Sequence, residues 1–489
     1  MNRIWGAGVG IIFISGCMNY QPLPETAVGH NSYAEVQQQE KALLPAELAV
    51  LTLPEAQRLA LKNNRDFKSI ATAVDAARAR YYQSYSAYAP TVNVGMSISQ
   101  SFNKMYSATN AVKNRSQSES YSPTVSGQLL VFDCLAREMN VLSQKYALNQ
   151  SRAELEDARR LLLRAVAYAY NDVLLAMAQR DITLAEIEYN RDMLAEAQRK
   201  YKAETVLLSD VLNFQITLRS SELNLIQNNY QIMANKYILA GYLGLVAGTI
   251  PDTMKFSKIE LIEITNLSDI TLYLDQAIAN RPDLQAYLHA LQASKYSYWS
   301  EIASAFGPSI TANYELGYAQ SRSIQHGGGV SSHGGSGTGN LNYGVQASWN
   351  LFNGFSDYYQ AQANLANIAG IEYTTAQAWI TVVTDVRTAY ENYLSNVQKV
   401  KLSKEICDLT LKTRDLVRNE YKAGRALVTR LNEAERDLTE AQNNLVTVVL
   451  NVANAKAQLE AAVYAAGNSA AEEGVASAAS GPQAAVETK

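Results

Sequence analysis

One pattern occurs twice in this chain, about 220 residues apart. The tripeptide Tyr-Lys-Ala at 201–203 returns at 421–423, and Phe132 returns as Phe352. Apolar residues spaced seven positions apart repeat at the same interval: Val211, Leu218, Leu225, Ile232 and Leu239, then Leu431, Leu438, Leu445, Val452 and Leu459. A period this long indicates two homologous halves that form one duplicated architecture, rather than a short-repeat solenoid.

The N-terminus resembles a bacterial lipoprotein signal. Arg3 precedes an apolar run, Ile4–Ile14, which suits the core of a secretory signal and is too short for a membrane span. The run is followed by Ser-Gly-Cys, in which Cys17 is the residue that lipoproteins carry as a lipidated N-terminus. We therefore expect a signal peptide at 1–16 and a lipid-anchored segment at 17–51, with fatty acid such as palmitate on Cys17. The alternative is an ordinary signal with an incidental cysteine.

Composition excludes several classes of function. The net charge is −4 and no stretch is strongly basic, so no nucleic-acid partner is expected. The four histidines share no ligand spacing with cysteines or acids, and no serine, histidine and acid arrangement occurs. We therefore expect no metal site, no cofactor beyond the covalent lipid, and no enzymatic activity. No disulfide is expected between Cys134 and Cys407. The duplication maps Cys407 onto a position far along the helix that follows Cys134, about 80 Å from it.

Long helices dominate both halves. The segment 53–88 reads as one helix, with Thr52 as its N-cap and Pro54 in its first turn. Helices of about 70 residues follow at 135–203 and 356–423, and each is followed by a return helix that carries the seven-residue repeat. Because helices of this length cannot be buried in one globule, we expect antiparallel coiled coils that pack sideways against each other and against other subunits.

Each half also contains two strands of about ten residues in which apolar and polar side chains alternate. The polar positions include Asn93, Ser97, Asn313, Glu315, Asn342 and Gln346. This length and alternation are typical of transmembrane β-strands whose polar side faces a lumen. A soluble four-stranded sheet is the alternative. The polar stretch 101–120 is expected to connect the first pair, and the Gly/Ser-rich stretch 321–339 is expected to be a mobile loop.

Four strands cannot close a barrel, and an open sheet edge in lipid leaves backbone groups unsatisfied. The barrel must then be shared between subunits. A dimer would supply eight strands and a trimer twelve, and the strand count alone does not choose between them.

The order of elements, taken with three local motifs, resembles the TolC-type outer-membrane channel family. The motifs are Arg-Pro-Asp-Leu at 281–284, Leu-Phe-Asn-Gly at 351–354 and Tyr-Lys-Ala-Gly at 421–424. The resemblance implies an α+β membrane protein that is a homotrimer in the outer membrane, with a 12-stranded barrel and a periplasmic α-barrel of long coiled-coil helices. It also implies a periplasmic adaptor and an inner-membrane transporter as partners, in tripartite efflux or type I secretion.

The resemblance further places a periplasmic gate and adaptor-docking tip at the helix turns. Its candidate residues are Tyr201, Asp210, Tyr421, Gly424, Arg430 and Glu433. We expect the charges among them to hold the closed state through bonds between helices. The repeats then span 52–245 and 272–466, joined by a connecting segment at 246–271 and followed by a disordered tail at 467–489. A structural coiled-coil lipoprotein without channel activity is the alternative function.

Overall fold

The computed structural model describes residues 50–105, 114–246, 248–251, 254–257, 267–327 and 330–464. The first half contains β1 (Val50–Leu51), α1 (Leu53–Asn63), α2 (Arg65–Ser84), a 3-10 turn (Tyr85–Tyr88), β2 (Thr91–Met105), β3 (Asn114–Phe132), α3 (Ala136–Lys202) and α4 (Leu208–Tyr242). The second contains β4 (Lys255–Phe256), α5 (Ile270–Asn280), α6 (Pro282–Phe306), β5 (Ser309–Gly327), β6 (Val330–Ser348), α7 (Ser356–Lys422) and α8 (Val428–Val463). Cys17, the signal peptide and the tail at 467–489 lie outside the described residues.

The two long helices, α3 and α7, are each 67 residues long and begin and end within a residue of the predicted bounds. Each returns as a shorter antiparallel helix, so the chain forms two hairpins, α3/α4 and α7/α8. The predicted seam is buried at most positions: Val211, Leu218, Ile232, Leu239, Leu431, Leu438, Val452 and Leu459. The equivalent residues Leu225 and Leu445 are both half-buried. The seven-residue repeat therefore marks the contact inside each hairpin.

The prediction of one helix over 53–88 was wrong, because this segment forms two helices and a 3-10 turn. It breaks at Asn64, whose backbone is extended and whose side chain accepts a hydrogen bond from the Phe67 amide at 2.9 Å. Asn64 is thus the N-cap of α2, a role for which asparagine is well suited. Upstream, Thr52 and Glu55 form the capping box that starts α1, in agreement with the predicted N-cap.

The four long strands form one antiparallel sheet in the order β2-β3-β5-β6. They are 15, 19, 19 and 19 residues long, so the predicted length of about ten residues was too short. Most of 321–339, predicted as a loop, is paired strand, and so are the described parts of 101–120. Ladder pairing overrides the loop-like composition here, and tyrosine rings cover glycines that would otherwise leave gaps, as Tyr314 does opposite Gly127.

The helices meet below the sheet in two apolar clusters. One joins α1, α3 and α4 with the small parallel pair β1/β4, around Leu51, Val166 and Leu239. The other joins α5, α7 and α8 around Val386 and Leu459. By length and composition, α3 is the one described helix apolar enough to cross a membrane, and part of that stretch lies in the first cluster.

A buried ion network joins the two halves. Arg281 is almost fully buried and donates hydrogen bonds to the carboxylates of Asp283, at 3.0 and 2.7 Å, and of Asp385, at 3.0 Å. Arg160 of α3 forms an ion pair with the motif's Asp283 at 3.8 Å, binds Asp157, and donates to the Ala461 carbonyl of α8 at 3.0 Å. The Arg-Pro-Asp motif therefore anchors the second half to the helices of both hairpins.

Candidate functional site

The strand register places the six predicted lumen residues on one face of the sheet. Asn93 lies opposite Ser126, Ser126 opposite Glu315, and Glu315 opposite Asn342, which makes one row across all four strands. Ser97, Asn313 and Gln346 have the same parity. We call this side the polar face; its role as a lumen lining stays a prediction.

The polar face is rich in hydroxyl groups that pair with each other. Ser101 and Ser118 lie 2.7 Å apart between their Oγ atoms, and Ser321 and Ser336 lie 2.8 Å apart. These groups have free lone pairs and remain available to water. A surface of this kind stays wetted.

The opposite side of the sheet, which we call the apolar face, is exposed in the single chain. Its most exposed members are Val94, Ile98, Tyr343 and Val345, with Val94 at 82% and Tyr343 at 83% of full exposure. Such a contiguous apolar surface on a sheet is not stable in water and suits contact with lipid acyl chains.

At the far end of the molecule the two hairpins pack against each other. We call this region, residues 189–214 and 414–435, the helical tip. Its apolar cluster contains residues of all four helices: Met193, Ala197, Val211, Phe214, Val417, Tyr421, Val428, Leu431 and Ala434.

Tyr421 is 5% exposed within this cluster. Its ring meets the Phe214 ring edge-on at 5.9 Å between centroids, and the Lys200 ammonium lies over it at 4.6 Å. Burial, together with the nearby Asp210 and Glu196 carboxylates, raises the pKa of Tyr421.

A polar cluster that the sequence did not reveal lies beside it. The guanidinium groups of Arg414 and Arg418 stack on the Tyr189 ring at 5.2 and 5.4 Å. Arg414 also donates to the Glu435 carboxylate at 3.2 Å. Burial raises the pKa of Glu435, and the adjacent Glu186 carboxylate adds to the rise although Arg414 opposes it. The cluster therefore links α3, α7 and α8 through a desolvated charge.

The predicted gate residues all lie at the helical tip but differ in their partners. Arg430 pairs with Glu433 at 2.9 Å within α8, so inside one subunit this ion pair does not join two helices. The Asp210 carboxylate makes no hydrogen bond or ion pair with the described residues, and the Asp210 backbone amide donates to the Leu207 carbonyl at 3.1 Å. Gly424 ends α7 with a φ of 72°, a left-handed conformation, and the Arg425 amide donates to the Glu420 carbonyl at 2.8 Å. A bond from Asp210 or Arg430 to another subunit stays a prediction.

The duplication makes one asymmetry informative. Tyr201 and Tyr421 occupy equivalent positions, yet Tyr201 is 44% exposed whereas Tyr421 is buried against the other hairpin. No described residue buries Tyr201 in the way that Phe214 and Lys200 of the first hairpin bury Tyr421. The single chain is therefore incomplete at this position.

A polar groove runs along the tip between α4 and α8. Its volume is ≈ 1040 Å³, and its lining includes Glu186, Asn213, Arg430, Glu433 and Glu440. Within the described part of the chain no three His, Cys, Asp or Glu residues gather as a metal site, and Cys134 and Cys407 are free thiols. The groove is suited to contact with a polar protein surface rather than to an apolar ligand.

Comparisons with known proteins agree with this architecture. Solved structures with the same fold include the outer-membrane channel OprN (TM-score 0.72, 16% identity, 84% of this chain and 90% of that chain). The CmeC outer-membrane channel of Campylobacter jejuni has a TM-score of 0.70 at 15% identity, over 84% of this chain and 85% of that chain. The open state of the MtrE outer-membrane channel of Neisseria gonorrhoeae has a TM-score of 0.67 at 16% identity, over 86% of this chain and 93% of that chain. At these identities the likeness shows the fold.

A search of curated protein sequences found no match. The family model described as outer membrane efflux protein matches residues 56–245 and 273–463, which together cover most of the chain and take in both repeats. The chain therefore belongs to the outer membrane efflux protein family, whose members are outer-membrane channels.

Proposed function

We propose that three copies of this channel protein close one passive conduit, which receives substrate from an inner-membrane transporter and a periplasmic adaptor and releases it outside the outer membrane. The observation that carries the proposal is the pair of open edges on the sheet. β2 and β6 are the outermost strands of the order β2-β3-β5-β6, and neither pairs with a further strand in the described part of the chain. Family membership favours this reading over a structural lipoprotein.

Open edges beside an apolar face are costly in a membrane. Each unpaired backbone N–H or C=O in hydrocarbon costs several kcal/mol, so β2 of one subunit must pair with β6 of the next. Closure then gives a multiple of four strands. Twelve strands, from three subunits, match the family that the chain resembles, with the polar face inside and the apolar face toward lipid.

The helices support the same closure. Besides its seam with α3, α4 has a second exposed stripe with heptad spacing: Leu212, Ile216, Leu223, Ile226, Tyr230, Met233 and Tyr237. α7 has a matching exposed stripe: Leu402, Ile406, Leu409 and Leu416. We infer that α4 of one subunit packs on α7 of its neighbour, which would also cover Tyr201 as Tyr421 is covered within the chain.

The polar face would keep the barrel wetted, so passage needs no chemistry from the channel itself. Closure would depend on the helical tip, where the apolar cluster and the Tyr189, Arg414 and Glu435 contacts hold the two hairpins together. The groove between α4 and α8 would receive the helices of the adaptor. Lipidation of Cys17 would add an anchor to the outer membrane.

The proposal is tested by breaking the inferred interface. Ile226→Lys places a charge in the exposed stripe of α4, whereas the control Gln231→Lys places the same charge on the same helix outside the stripe. We expect the wild type and the control to have the mass of three chains in detergent, and Ile226→Lys to yield mostly smaller species. A trimer that tolerates Ile226→Lys would contradict the α4/α7 contact, and a wild-type monomer would contradict the shared barrel.

A further inference from the structure

One charged side chain stands out on the described part of the polar face. Among its described side chains Glu315 is the only Asp, Glu, Lys or Arg; the others are mostly Ser, Thr, Asn, Gln and Gly. The remaining charged residues of the four strands have the opposite parity. They lie on the outer part of the apolar face, toward the hairpin turns and beyond the apolar band around Val94: Lys104, Arg115, Glu119 and Arg322. The polar face is thus electrically neutral except at one row.

The carboxylate of Glu315 is not neutralised within the chain. Its side chain is exposed and makes no hydrogen bond or ion pair with the described residues. Its neighbours in the row, Ser126 and Asn342, are uncharged, and Gly317 and Gly344 beside the row have no side chain. No residue that the structure describes therefore shields this charge or competes for it.

We infer that Glu315 gives the barrel of this channel a preference for cations over anions. The inference rests on the proposed trimer with the polar face inside, because threefold symmetry would then put three carboxylates around the pore at one level. Twelve strands about 4.8 Å apart and tilted by about 40° close at a radius of about 12 Å, which leaves the carboxylates about 10 Å from the axis.

The size of the effect depends on salt. At 0.1 M salt the Debye length is about 10 Å, so three charges at that distance raise the cation concentration on the axis about twofold and lower the anion concentration by the same factor. The resulting preference is about fourfold. At 1 M salt the Debye length is about 3 Å, and the preference all but disappears.

The test is the reversal potential of the reconstituted wild-type channel in a KCl gradient centred near 0.1 M. The variant Glu315→Gln removes the charge at nearly constant shape. The matched control Glu119→Gln removes a carboxylate from the apolar face of the same sheet. Because all these channels have the same helical tip, a difference between their permeability ratios must arise in the barrel.

We expect Glu315→Gln to lower the ratio of potassium to chloride permeability about fourfold relative to wild type. Glu315→Lys should lower the ratio further, so that chloride becomes the preferred ion, and Glu119→Gln should leave the ratio unchanged. The wild-type preference should also disappear at 1 M KCl. Conducting channels in which Glu315→Gln has the wild-type ratio would overturn the inference while leaving the proposed conduit intact. A wild-type protein that forms no pore would instead refute the conduit.

Discussion

Leu431→Ala perturbs the contact between the two hairpins at the helical tip. Leu431 is 0% exposed and lies in the cluster formed by residues of all four long helices. Removal of a buried leucine side chain costs about 2–4 kcal/mol, the lost transfer free energy plus a cavity term. Leu431 belongs both to the seam inside the α7/α8 hairpin and to this cluster. If opening separates the hairpins, the share of the cost that comes from contacts with the first hairpin falls on the closed state of each subunit.

The expected effect on gating is large. Each 1.4 kcal/mol changes an equilibrium about tenfold, so if about half of that cost falls on the contact between hairpins, the ratio of open to closed tips would rise about tenfold. Planar-bilayer recordings should show Leu431→Ala channels open for longer and at higher mean conductance than the wild type.

The control is Leu459→Ala, on the same helix and 6% exposed, but in the cluster around Val386 far from the tip. Both variants should lower the temperature of unfolding by similar amounts, because both leave a cavity in a helix seam. Only Leu431→Ala should change conductance. If both variants open the channel, or neither does while both are destabilised, the tip cluster does not hold the closed state.

Three further predictions concern the same region. Gly424→Ala should destabilise the turn by about 1 kcal/mol, because the backbone φ there is positive although no atom crowds the added methyl group. Glu204 has a positive φ at the equivalent turn, so Glu204→Gly should stabilise the protein by a similar amount in thermal unfolding. Because the raised pKa of Glu435 makes the native state bind its proton more tightly than the unfolded chain, its contribution to stability falls as pH rises above 4.5 through the folded pKa. The thermal stability of Glu435→Gln relative to wild type should therefore rise as the pH is raised above 4.5. Reversal of charge at Asp210 or Arg430 should raise single-channel conductance, and the exchanged pair should restore it; unchanged conductance in all three would remove both residues from the gate.

Some elements of the fold could be predicted because their signals are local and repeated. The bounds of α3 and α7 follow from uninterrupted helix-forming sequence and a turn motif found twice, and the polar face follows from alternation alone. The duplication contained a further signal for the break at Asn64. Its counterpart in the second half is Arg281, where the following proline forces the same break.

Other features depend on contacts between distant segments. The Gly/Ser-rich stretch 321–339 has the composition of a loop, and only its pairing with β5 and the cover of tyrosine rings make it strand. The cluster of Tyr189, Arg414 and Glu435 joins residues about 20 to 250 positions apart, none of which stands out in its own helix. Its members could be found only after the two hairpins were placed side by side.

Closure of the conduit by three subunits can be tested on one preparation of the mature, detergent-extracted protein. Its mass by light scattering and its conductance in a planar bilayer should be measured on the same sample. A conduit closed by three subunits should appear as a particle of three chains that forms pores, closed for most of the time and opened by Leu431→Ala. A particle of one or two chains, or a trimer that never conducts even with the tip variant, would contradict it.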